Sequence, residues 1–234
     1  MDWFQAAWLV CQPGGVSALE LQQALGVASY QTAWAWLHKL RREMAPLAER
    51  RLSGLVEVGA ASIGGRAAVT GLKTRCGGLV ALAVGVRGRR LGRARMEAIA
   101  AAKQKNLGAF VTSAVEARST VRTGGSPGPR GLKNPRFRHV LAALPPDLLG
   151  VHRVAEQLSQ WPSATLHGTV RATHLPGYLD GFAFRFNHRT ARSPGPRFGW
   201  LLERAVRAEA TPYRRLVRPG GQPDATWPKW RVCC

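Results

Sequence analysis

The run Leu79 to Val86, LVALAVGV, is apolar without interruption over the length of one strand. A strand with one wet face alternates apolar and polar residues, whereas a strand covered on both faces reads as a continuous apolar run. This stretch therefore predicts a central strand in a sheet with cover on both sides. Arg75 and Arg87 flank it, and it falls far short of the ~20 residues that a spanning helix needs. Upstream, Leu55 to Gly65 reads LVEVGAASIGG. Val56, Val58 and Ile63 are strand formers, Glu57 alternates with them, and Gly64-Gly65 supplies a turn, so this is a second short strand and its exit.

The remaining chain supplies helices before this pair and further elements after it. Trp3, Phe4, Ala7, Trp8 and Val10 recur at helical spacing over residues 2 to 10, and Pro13-Gly14-Gly15 ends that helix. Ser17 with Glu20 three residues on is a capping box for a second helix, with Leu19, Leu21 and Leu25 as its buried face and Gly26 as its end. After a short turn at Ser29, Tyr30 to Arg42 forms a third helix that grows basic toward its C-terminus. Two short helices joined by a glycine turn, the second rich in Gln, Thr, Lys and Arg, make a helix-turn-helix pattern. Tyr30, Gln31 and Thr32 then stand where groove contacts begin, or form an ordinary polar helix start, and Lys39, Arg41 and Arg42 follow as phosphate contacts. Pro46 to Arg51 links to the core. Arg89 to Met96 reads as a hairpin partner, Leu107 to Val115 as a helix, Ser119 to Thr123 and Phe137 to Leu141 as strands, Gly150 to Trp161 as a helix, and Phe198 to Val206 as a last helix.

Lys and Arg number 34 against 13 Asp and Glu, a formal charge of +21. A surface this positive suits a polyanion, because each phosphate it neutralises releases condensed counterions; a solvated basic surface on an Arg-rich chain is the plainer alternative. Cys11, Cys76, Cys233 and Cys234 form no CxxC pair and have no His at ligand spacing, so all four are expected to be free thiols. The N-terminus MDWFQAAWLV shows no basic lead and no small-residue cleavage site, which predicts a cytoplasmic protein with no membrane partner.

Several of these stretches resemble one family. LVEVGAASIGG is similar to VEVDETYIGG of the ISXO-like insertion-sequence transposases, residues 14 to 44 resemble the segment before their catalytic core, and residues 174 to 189, HLPGYLDGFAFRFNHR, resemble their HLxxYLDEFxFRFNRR. The resemblance covers residues 3 to 217. It implies an α/β protein, with a small all-helical helix-turn-helix segment over 1 to 50, an RNase-H-like mixed sheet with flanking helices over 51 to 217, and a tail over 218 to 234 that it leaves unassigned. It also implies a partner, duplex DNA with terminal inverted repeats, and leaves homo-oligomerisation open. Within 174 to 189, Phe182, Phe184 and Phe186 read either as a strand face or as packing aromatics, and Arg185, Asn187 and Arg189 are expected to line the DNA. A cysteine-rich zinc ribbon usually comes first in the family; this chain begins too late to contain it, so an N-terminally truncated gene or a late start codon is the expectation.

The resemblance also says what is missing. The family's first metal-binding aspartate falls on Gly59 and the second, from TDGWxGY, on Gly124, with Ser126 and Pro129 in place of its Trp and Tyr. GVHRVAEQLSQW keeps, at His152, the His that one subgroup uses as third catalytic residue, but its lysine position is Ser159 and the glutamate of the last motif is Gly181. Two-metal phosphoryl transfer needs hard anionic oxygens, which glycine lacks. The expectation is a DNA-binding transposase relative with a degenerate site, His152 as its remnant, no metal ligand set and no cofactor, Mg²⁺ being needed only by an active form. Two alternatives stand beside it: an active enzyme using displaced carboxylates, Glu57 and Glu156 with His152, and a basic RNA-associated protein with no transposon role.

Overall fold

Five strands form one mixed sheet in the spatial order β3-β2-β1-β4-β5. They are β1 (Leu55–Ile63), β2 (Gly78–Arg87), β3 (Arg90–Ile99), β4 (Thr120–Thr123) and β5 (Arg138–Leu141). The computed structural model describes residues 2–46, 51–63, 78–124, 134–142, 148–165 and 172–217. The first three strands are an antiparallel meander, in which a tight turn carries Gly88 at φ 59 between Arg87 and Arg90. β4 then joins β1 in parallel and β5 joins β4 in parallel. The central place predicted for the apolar run is confirmed: Val80 through Val84 are fully buried in β2.

Both faces of the sheet are covered. On one, Val56 and Val58 of β1, Ala81 and Ala83 of β2 and Val121 of β4 meet Leu107, Phe110, Val111 and Ala114 of α4 (Gln104–Ala114). On the other, Val80, Leu82 and Val84 meet Val151, Val154 and Leu158 of α5 (Leu149–Thr165) and Leu179, Phe182 and Phe186 of α6 (Leu175–Asn187). Alternation along each strand divides its side chains between these two cores. The RNase-H-like α/β expectation is met in strand order and in the helices on both faces.

The helix limits hold closely to the sequence reading, but Leu19, expected on the buried face of the second helix, is exposed. α1 is Asp2–Val10, α2 is Ala18–Leu25 and α3 is Tyr30–Glu43. Ser17 and Glu20 form the predicted capping box, and Gly26 closes α2 in the left-handed conformation at φ 63. α7 (Gly195–Arg207) extends the predicted last helix at both ends, and a short α8 (Tyr213–Val217), which had no clear signal, follows it.

Two features differ from the reading or go beyond it. The phenylalanines of the last motif belong to a helix, and the spacing that resembled strand alternation divides them around it. Phe182 and Phe186, one turn apart and stacked at 6.4 Å, face the sheet, while Phe184 faces α1, α3 and α7. α6 thus has apolar neighbours on two sides. Its consequence bears on the segment 1 to 50: α1, α2 and α3 share their core with Phe184 of α6 and Leu201 of α7. Residue 50 therefore does not separate two cores. Cys11 is a buried free thiol; Gly64, Gly65, Cys76, Ser126, Pro129, Cys233, Cys234 and the tail from 218 lie outside the described residues.

Candidate active site

β1 and β4 are neighbours in the middle of the sheet, and their last registered pair is Val58 with Thr123. The next residue on each strand is a glycine. Gly59 and Gly124, the two positions at which the resemblance places metal-binding aspartates, therefore come together at adjacent parallel strands, beside the first turn of α5. That turn fills the space in front of them. A Cβ at Gly59 would lie 2.8 Å from Val151 Cγ1, and one at Gly124 would lie 3.0 Å from Leu148 Cδ1.

Glu57 shares a strand face with Gly59 and is 3% exposed. Its Oε2 accepts the backbone amides of Gly150 at 2.8 Å and Val151 at 3.1 Å. These are among the amides that the first turn of a helix leaves without an intrahelical partner, and the positive end of the helix dipole favours a carboxylate there. Gly150 permits the approach, because a Cβ on it would come within 2.7 Å of that oxygen. Glu57 is thus bound to α5 as its N-terminal cap. At the strand end, Thr123 Oγ1 lies 2.8 Å from Nε2 of His139 on β5, and burial lowers the His139 pKa.

His152, Glu156 and Ser159 lie on the solvent side of α5. The Ser159 hydroxyl donates to the Glu156 carbonyl at 2.7 Å. Among the described residues no group of three or more His, Cys, Asp or Glu is placed to hold a metal ion. Glycines without donors, apolar side chains in front of them and a carboxylate already engaged by two amides do not fit a pair of hard divalent cations, which require several anionic oxygens converging on one point. Sequence reasoning named both glycines but missed Val151 and Leu148; the apolar spacing Leu148, Val151, Val154 and Leu158 carried that signal.

The residues expected on DNA divide into three groups. Tyr30 is 48% exposed, Gln31 is exposed with its Oε1 accepting the Ser29 hydroxyl at 2.7 Å, and Thr32 is half-buried beside them. Lys39 holds its ammonium 5.7 Å from the Trp3 ring, and Arg42 is exposed and donates to Thr211 Oγ1 at 2.8 Å. The second group is a correction. Arg41 and Arg185 are 3% and 8% exposed, because α3 and α6 pack against each other and enclose them, so neither presents its guanidinium to a surface. The third group is turned onto the protein's own backbone. Asn187 accepts from Ala94 N at 2.6 Å and donates to Ala94 O at 2.9 Å, fastening α6 to β3. Arg189 is exposed, but it donates to the carbonyls of Leu91, Gly92 and Phe186.

A β3-β2-β1-β4-β5 mixed sheet, helices on both faces and paired positions at the ends of its two central parallel strands define an RNase-H-like domain of the transposase type. Residues 51–187 match the family described as ISXO2-like transposase domain, a span that ends on the last residue of α6 and covers more than half of the chain. The chain belongs to this family of insertion-sequence transposases. No curated protein matches it. No helix among the described residues is long and apolar enough to cross a membrane.

Proposed function

We propose that this chain is a DNA-binding member of its family that has lost metal-dependent strand cleavage and transfer. One observation carries the reading: Gly59 and Gly124 stand together where two carboxylates would be needed, and Val151 and Leu148 occupy the space in front of them. Without those oxygens, no group among the described residues is placed to hold two cations a few ångströms apart, to activate an attacking oxygen and stabilise a leaving one. Glu57 does not replace them, since it is engaged by Gly150 and Val151, and His152 with Glu156 lies on the exposed side of α5.

DNA binding rests on a formal charge of +21 and on α2, the Gly26 turn and α3 as a helix-turn-helix. In this arrangement Tyr30, Gln31 and Thr32 open the recognition helix, while Lys39 and Arg42 meet phosphate on neighbouring backbone. Terminal inverted repeats are the specific target. The test is a pair of assays on DNA carrying the ends of the element: gel-shift binding, and nicking with Mg²⁺ or Mn²⁺. Binding without nicking is expected, and metal-dependent nicking by the wild-type chain overturns the reading.

A further inference from the structure

The interface between the N-terminal helices and the last part of the core encloses three arginines. Arg41 of α3, Arg185 of α6 and Arg197 of α7 are 3%, 8% and 4% exposed. Among the described residues each has a buried nitrogen without a hydrogen-bond partner: Nε of Arg41, Nη2 of Arg185 and Nε of Arg197. A guanidinium taken from water requires both charge compensation and acceptors for its donors, and an unpaired buried cation is strongly unfavourable. Aromatic faces supply part of the first need. Arg41 lies 4.3 Å from the Tyr178 ring centroid and Arg185 lies 5.5 Å from that of Trp161. The Tyr178 side chain also hydrogen-bonds Arg41, and the three nitrogens named above remain without a partner among the described residues.

Among the described residues, the charges that shift Arg41 and Arg185 are tyrosines, other arginines and Cys11. Burial lowers the pKa of Arg41, opposed by Tyr178 and Tyr30. Burial also lowers that of Arg185, to about 10, with Arg41 and Arg197 adding repulsion and Cys11 opposing it. Asp180, although adjacent in sequence to Gly181, acts on Arg95 and Arg204. Arg41 and Arg197 thus act on Arg185 as like charges.

Gly181 of α6 adjoins two of these arginines. A Cβ at Gly181 would meet Arg41 Cγ at 3.4 Å and Arg185 Nη1 at 3.7 Å, ordinary contact distances. A side chain leaving α6 at Gly181 would therefore start in ordinary contact with both arginines. On the far side the Arg185 guanidinium is closed by backbone, since its Nη1 and Cζ lie 3.0 Å from the Cβ position of Gly15, which has φ +73.

We propose that Arg41, Arg185 and Arg197, opened by Gly181, form an internal binding site for one small tetrahedral oxyanion of the phosphate or sulfate class. Guanidinium groups bind such oxyanions through paired N–H donors. Occupancy joins α3, α6 and α7, so the anion stabilises the junction between the N-terminal helices and the sheet. The site is separate from any surface that binds DNA, because its arginines are enclosed.

Thermal unfolding of the full chain at matched ionic strength tests this, with orthophosphate as the probe and chloride as the control. Wild type should show a Tm that rises with the logarithm of phosphate concentration, about 3 to 5 °C for each tenfold increase beyond Kd. Gly181→Glu places a carboxylate between the arginines; it should raise Tm in chloride and abolish the phosphate response. Gly181→Ala adds only a methyl group and should keep the response, which distinguishes this site from phosphate bound on the basic exterior. Calorimetric titration of the wild-type chain with phosphate should give a single saturable site that Gly181→Glu lacks, and the same comparison applies should that variant fold poorly in heating experiments. Equal Tm in phosphate and chloride, or an undiminished phosphate response in Gly181→Glu, overturns the proposal.

Discussion

The Glu57 carboxylate accepts the amide of Gly150 at 2.8 Å, joining the middle strand of the sheet to the first turn of α5. Glu57→Ala removes the acceptor for two buried amides and leaves a small void. A loss of about 2 to 4 kcal/mol is expected in urea unfolding, since each unsatisfied buried donor costs roughly 1 to 3 kcal/mol. Glu57→Gln retains an acceptor oxygen and should lose less. Equal losses for the two variants would show that the cap contributes nothing.

Gly150→Ala should destabilise as well, by about 1 to 3 kcal/mol, because the added methyl falls 2.7 Å from Glu57 Oε2, 3.1 Å from Leu91 and 3.2 Å from Val86. Combined with Glu57→Ala it should cost much less than the sum of the two, as the oxygen it collides with is gone. Additive losses in this double-mutant cycle would disprove the contact.

Restoring a metal site takes more than two aspartates. Gly124→Asp meets only the end of the flexible Leu148 side chain at 3.0 Å, but Gly59→Asp meets Val151 at 2.8 Å, and a β-branched residue within a helix has little rotamer freedom with which to move aside. Calorimetry with Mn²⁺ should therefore show no binding at the wild-type core and weak binding in Gly59→Asp/Gly124→Asp. Binding should strengthen when Val151→Ala is added. A triple variant that binds Mn²⁺ no better than wild type would mean that the two glycines are not the ligand positions.

Two buried groups should shape stability against pH in opposite directions. His38 is held neutral by burial, with Arg41 and His174 adding to the effect, and its pKa is lowered from 6.5 to about 3. The unfolded chain binds this proton first, so its contribution to stability is lost as pH falls from 6.5 toward 3. Asp180 has its pKa raised by burial from 3.8 to about 6, against the opposing pull of Arg95 and Arg204. The folded state keeps this proton longer, so its contribution is present at low pH and lost as pH rises from 3.8 to 6. Asp180→Asn should stabilise the chain by ~3 kcal/mol at pH 7.5 and by almost nothing at pH 3.5. Urea melts at the two pH values check this, and an equal effect at both refutes it.

Duplex DNA affinity should fall steeply with salt, with a slope of log K against log salt near about −5 if ~6 phosphates are neutralised. Lys39→Ala and Arg42→Ala should weaken all sequences alike and flatten that slope by about one each, whereas Gln31→Ala should erode preference between sequences. Arg189→Ala, whose guanidinium is engaged by backbone carbonyls, should leave the slope unchanged. A salt-independent affinity would remove the basis for the DNA-binding reading.

The strands and most helix limits were legible because they rest on local signals: the unbroken LVALAVGV run, the alternation around Glu57, and the Ser17–Glu20 box with Gly26. Gly59 and Gly124 were legible as a pair only through the family resemblance, since parallel register between partners far apart in sequence, such as Val58 and Thr123, leaves no local trace. What the chain did not disclose was orientation around helices. Arg41 has the same basic sequence context as Arg42, yet one is enclosed by α6 and the other reaches Thr211. Likewise, the alternating FAFRF of α6 fits a strand face until two separate cores claim its opposite sides.

That double engagement of α6 bears on how the molecule comes apart. With Phe182 and Phe186 in the core against the sheet and Phe184 in the core against α1, α3 and α7, the helix acts as a shared wall rather than as a hinge. Loss of the first fifty residues would strip Phe184 and Leu201 of their partners, and loss of the sheet would do the same to Phe182 and Phe186. Neither half is then a sound fragment for expression, and the described elements should melt in one cooperative transition, with no plateau at which the N-terminal helices are lost and the sheet survives.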